Sequence, residues 1–93
     1  LEHRRGIARV LEGLACLALR TGDARRALAA AGAASRLRQA VSAPLPPAEQ
    51  AKLDENLRQA WRQLGEAEGK EAWEEGRALT TDHAIEYALS GSF

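Results

Sequence analysis

LEGLACLALRTGDARRALAAAGAA, residues 11–34, is the stretch on which the fold turns. Leu11, Leu14 and Ala18 recur at three- and four-residue intervals, the spacing of one helix face. Ala27, Ala31 and Ala34 repeat that spacing with methyl-sized side chains. Between the two faces, Arg20-Thr21-Gly22-Asp23 supplies the chemistry of a turn: Gly22 suits a left-handed C-terminal cap, and Asp23 can cap the next helix. A leucine face laid against an alanine face lets two backbones approach closely. The stretch therefore predicts a helical hairpin.

Upstream, the first helix extends back to about residue 3, with Ile7, Val10, Leu11, Leu14, Leu17 and Ala18 as its apolar stripe. Gly13 lies mid-helix at a cost of about 1 kcal/mol relative to alanine, which predicts a close crossing by a neighbour. Downstream, the second helix is expected over 23–42, with a stripe of Ala24, Ala27, Leu28, Ala31, Ala34, Leu37 and Val41 and arginines on its other faces. Ala43-Pro44-Leu45-Pro46-Pro47 stops it, because proline lacks the N–H and disfavours helix in the residue before it. The run reads as a short stiff connector. Its functional alternative is a polyproline ligand.

Pro47 then opens a third helix through Leu53, Leu57, Ala60, Trp61 and Leu64, ended by Gly65. A weaker fourth follows over 66–77, where Ala67, Ala72, Trp73 and Leu79 are the apolar surface and Gly69 and Gly76 weaken its ends. Thr80 can cap a fifth helix with Ala84, Ile85, Ala88 and Leu89 as its stripe, and Gly91 is the expected stop. The fold class is thus all-α, with about five helices and short connections.

Composition agrees. Valine occurs only at 10 and 41 and isoleucine only at 7 and 85, too little β-branched stock for a sheet. Ninety-three residues suit a single domain. The chain has no methionine and begins in helical text, so an excerpt of a longer protein, cut inside a helical array, is expected. Arginine outnumbers lysine eleven to two, a hint of a GC-rich bacterial genome. One cysteine makes no internal disulfide, no apolar run is long enough to span a bilayer, and no signal-peptide pattern is visible; a cytoplasmic location is the expectation.

Net charge is zero but unevenly spread: residues 1–46 carry eight arginines against three acids, and residues 47–93 five bases against ten acids. Arg4, Arg5, Arg9, Arg20, Arg25, Arg26, Arg36 and Arg38 could neutralise phosphates, which makes a nucleic-acid-associated module the alternative reading. They are spread around two helices with no interleaved aromatics, however. Pairing with the acidic half is simpler, and direct nucleic-acid contact is not expected.

No residue pattern supports catalysis or a cofactor. Cys16 would need a base to act as a nucleophile, and neither His3 nor His83 is tied to it; it reads as a small apolar residue. Two histidines so far apart make no metal site. Glu66, Glu68, Glu71, Glu74 and Glu75 lie on a helix, unlike a calcium loop, and read as a solvated face. Trp61 and Trp73 could stack a ligand, but each lies on an apolar stripe. Both are expected to anchor the second half on the first hairpin.

The hairpin resembles a tetratricopeptide repeat (TPR) unit. Aligned on Gly22, Leu11 and Leu14 take the large first-helix positions, Ala15 the small one, and Ala27 and Ala34 the two second-helix alanines. Ala18 and Ala31 stand where that motif prefers aromatics, and no proline closes the unit. More widely, 11–15, Gly22-Asp23, Ala27, 32–34, Leu37-Arg38, 44–47, 72–79 and 84–89 together resemble the C-terminal helical region of LuxR-type bacterial regulators and related predicted ATPases or adenylate cyclases. The resemblance implies a non-catalytic TPR-like scaffold beside a switching NTPase, packing on neighbouring helical repeats, and mediating protein interaction or effector sensing without a membrane. It places Cys16 on a concave face with Arg9, Glu12 and Arg20, the candidate interaction face. A protein partner or a homodimer is expected, and an array so cut is expected to self-associate through its first helix or its last.

Overall fold

A computed structural model describes residues 2–90. It contains α1 (Glu2–Arg20), α2 (Ala24–Ala40), α3 (Pro47–Leu64), α4 (Glu66–Ala78) and α5 (Thr81–Ser90), and no strand among the described residues. The all-α class and the five helices are as expected, and the stop at Gly91 lies outside the described residues.

Local chemistry sets the boundaries. Gly22 sits at φ +84°, the Asp23 N–H reaches back to the Ala18 carbonyl at 2.8 Å, and the Gly22 N–H to that of Leu19 at 3.1 Å. This pair of bonds is a Schellman cap. Asp23 then caps α2 by accepting from the Arg26 N–H at 3.1 Å. The same cap closes α2 two residues sooner than expected: Ser42 turns left-handed at φ +51°, and the Ala43 N–H bonds the Arg38 carbonyl at 2.9 Å. Gly65, at φ +85°, alone separates α3 from α4. Thr80 caps α5 by accepting from the His83 N–H at 3.2 Å.

The architecture is centred on α2, which touches all four other helices, most extensively α1 and α4. Every residue from 27 to 34 is buried, so α2 is enclosed all round instead of along one stripe. Alanine explains this, since a methyl-walled cylinder admits neighbours on every side. Its arginines emerge only near its two ends. A chain of stacked repeats would touch mainly nearest neighbours; here one helix serves as a common axle.

α1 meets this axle with Ala8, Leu11, Ala15 and Ala18, all buried. The face is rotated from the expected stripe, leaving Val10 54% and Leu17 44% exposed. A thin alanine helix is best met by small side chains, and α1 offers its own alanines to it. Gly13 marks no crossing within the chain: it is exposed, and a Cβ there would meet nothing within 4 Å. Gly13→Ala is accordingly expected to stabilise the fold by about 0.5–1 kcal/mol in urea denaturation.

The close crossing lies elsewhere. Gly32 of α2 and Gly76 of α4 interlock, so that a Cβ on Gly76 would sit 1.8 Å from the Ala29 carbonyl oxygen and one on Gly32 2.4 Å from that of Trp73. Gly69 and Gly76 thus do not fray α4; with Ala72 they are its buried face, while Ala67 is exposed. Both tryptophans are half-buried against the core. Trp73 lies at the α2 crossing, and the Trp61 ring is laid over Gly69, tying α3 to α4.

Charge pairing is mixed. Arg25 bridges to Glu71 at 2.9 Å and Glu75 at 3.2 Å across the α2–α4 seam, as the uneven halves suggest. Arg26 instead pairs with Asp23, donates to the Tyr87 carbonyl at 3.0 Å and lies 5.3 Å from the Tyr87 ring centroid. Arg36 donates to the Leu79 carbonyl at 2.6 Å. Together Arg36 and Arg26 pin the two ends of α5 along α2. Burial pushes the Tyr87 phenol above its ordinary pKa.

Candidate functional site

The proline connector carries the chain from the end of α2 onto α3, and hollows open on either side of it. Leu45, half-buried between Pro44 and Pro46, is common to three of them. One cleft of about 340 Å³ lies between α2 and α3, walled by Ala31, Ser35, Leu53, Leu57 and Trp73. A second, of about 280 Å³, lies between α1 and α3. A third, about 380 Å³, brings Arg5 and Arg9 opposite Glu49 at the start of α3. Between α3 and α4, a more open hollow of about 580 Å³ shares Asp54, Leu57 and Trp73 with the first and adds Trp61. These residues make a nearly continuous apolar groove along α3, from Leu45 to the two indoles.

Three of the four candidate interaction residues come together here. Arg9, Glu12 and Cys16 line the α1 wall of the second hollow, opposite Lys52 and Asn56 of α3. Arg20 lies one turn past them, exposed at the end of α1 and apart from that hollow. Their roles differ. Glu12 is occupied: its two carboxylate oxygens accept from Arg38 Nε at 2.6 Å and Nη2 at 2.9 Å, with the two side chains only 14% and 12% exposed. Arg38 also donates to the Ala43 carbonyl at 3.0 Å, so this fork ties α1, α2 and the connector together. The hydrogen bonds it donates to Glu12 hold the Arg38 pKa above its ordinary value, outweighing the opposing effect of burial. Glu12 is floor, not contact surface.

Cys16 is half-buried, and its sulfur is approached by Asn56 Nδ2 at 3.9 Å. His83 is exposed at the start of α5, and the His3 side chain lies outside the described residues. No group of three or more metal-ligating side chains occurs among the described residues. No helix among them is long and apolar enough to cross a membrane.

The sequence reading places Leu53, Leu57, Trp61 and Trp73 on apolar stripes but does not join them into a groove. Leu45 did leave a signal, a large apolar side chain isolated in a connector of prolines. The Glu12–Arg38 pair left none, because the partners lie 26 positions apart. Comparison with known proteins adds no relative: no family model, no curated protein and no solved structure matches the chain.

Proposed function

We propose that this chain is a non-catalytic helical scaffold that mediates protein–protein interaction or effector sensing within a multidomain bacterial signalling or transcription regulator. The resemblance of its hairpin and later motifs to TPR-like regions of LuxR-type proteins supplies the family part of the reading. The observation that carries the interaction part is the groove, an apolar strip beside a rigid ion-paired floor, with Trp61 and Trp73 half-exposed in it. Concave, mostly apolar clefts with a few polar groups are the usual form of a recognition surface. A scaffold of this kind works in the cytoplasm, beside neighbouring repeats or domains.

Peptide-display selection against the intact chain tests it. Recovered peptides are expected to change the tryptophan emission and to lose binding in Leu45→Glu, whose helices stay folded by circular dichroism. Peptides that bind Leu45→Glu as well as the unaltered chain would sink the groove as the recognition surface. One observation favours the alternative of a nucleic-acid-associated module: Arg4, Arg5, Arg9 and Arg20 are exposed, with no ion pair among the described residues. Phosphate binding through them would weaken steeply with salt, and a duplex-DNA titration flat at low salt removes it.

A further inference from the structure

The side of α1 turned away from α2 has a composition the fold does not use. Gly6, Val10, Gly13 and Leu17 follow one another at four-, three- and four-residue steps, and all four are exposed. Val10 and Leu17 are among the large apolar side chains most open to water. A Cβ on either glycine would meet nothing within 4 Å, so no intramolecular packing accounts for two helix-weakening residues on one face. One flank of the strip carries Arg5, Arg9 and Arg20, exposed and without a carboxylate within 4 Å among the described residues. The other flank carries the half-buried Ile7 and Leu14. Of the α1 side chains the structure describes, the one acid, Glu12, is folded inward onto Arg38.

We propose that this outer face of α1 docks an amphipathic helix with an apolar ridge and acidic flanks. The glycines leave two shallow notches, Gly6 before Val10 and Gly13 between Val10 and Leu17, into which the ridge of a second helix fits at short backbone distance. Among the described residues no carboxylate lies within 4 Å of the arginine row, Glu49 standing only across the connector hollow from Arg5 and Arg9, and the partner supplies the close counter-charge. An isologous contact with a second copy brings the same surface, hence no carboxylate, to those arginines. Phosphates would satisfy the arginines but leave Val10 and Leu17 in water. The proposal rests on the interaction-scaffold reading; its arginine edge borders the hollows beside Leu45, but its apolar ridge of Val10 and Leu17 lines none of the hollows described, so variants of that ridge separate the two.

The test uses the intact chain and two synthetic helical peptides with the same leucine ridge, one flanked by glutamates and one by lysines. Labelled-peptide anisotropy at low salt is expected to favour the glutamate peptide by at least about tenfold, with amide shifts centred on residues 6–17. Val10→Glu with Leu17→Glu, both exposed and so compatible with folding, should lower that affinity by at least about tenfold. Arg5→Glu, Arg9→Glu and Arg20→Glu combined should reverse the peptide preference. Arg58→Glu, in the hollow between α3 and α4 and away from α1, should leave it intact. Equal binding of the two peptides, no binding of either, shifts confined to the α3 groove, displacement by duplex DNA, or a dimer that Val10→Glu/Leu17→Glu dissociates would each overturn the proposal.

Discussion

Gly76→Ala is expected to lower the unfolding free energy by at least about 3 kcal/mol in urea denaturation, beyond the ordinary cost of an added methyl in a packed core. The obstacle is backbone: the new Cβ would fall 1.8 Å from the Ala29 carbonyl oxygen and 2.7 Å from its Cα. No rotamer change relieves that, so α4 must move off α2 and give up burial along the whole seam. A small domain is held by only about 5–15 kcal/mol in total, and the loss should also appear as a large fall in midpoint. Gly13→Ala is the matched contrast, the same substitution on an open helix face with the opposite sign. Equal stability of the two variants would mean that the α2–α4 backbones are not in contact.

Glu12→Ala is expected to cost roughly 2–4 kcal/mol, because it strands a largely buried guanidinium. Arg38 would retain only its bond to the Ala43 carbonyl of the contacts described. Most of the loss belongs to the unpaired charge, so Glu12→Leu combined with Arg38→Met should recover much of it. Arg25→Ala, at the exposed bridge to Glu71 and Glu75, should leave the thermal midpoint nearly unchanged. If the double replacement proved as unstable as Glu12→Ala, lost packing and not the stranded charge would be the cause.

Most helix ends are legible because they rest on chemistry within a few residues: Gly22-Asp23, Gly65 and Thr80 act locally. The end of α2 is the exception, since a left-handed Ser42 closes it before the proline run is reached. The orientation of α1 was not legible. Apolar residues occupy so much of its circumference that periodicity admits two faces, and the choice falls to the shape of α2. The glycines were misread for a related reason: Gly13 and Gly76 have the same propensity cost, and only the neighbour distinguishes an open position from an interlocked one. In the candidate site, the repeat resemblance implies one face for Arg9, Glu12, Cys16 and Arg20; the structure brings the first three to one hollow and leaves Arg20 apart. That Glu12 would be consumed by Arg38 needed the hairpin closed, and the α3 groove needed the connector's path.

Enclosure of α2 bears on how this molecule can come apart. Every other helix packs against this one cylinder, so none can peel away without uncovering part of it. The hairpin of α1 and α2 alone would leave the Ala29–Gly32 surface naked on the side that α4 covers. Cooperativity is therefore lodged at the centre of the sequence's first half, and loosening spreads outward from a single axis instead of passing link by link down the chain.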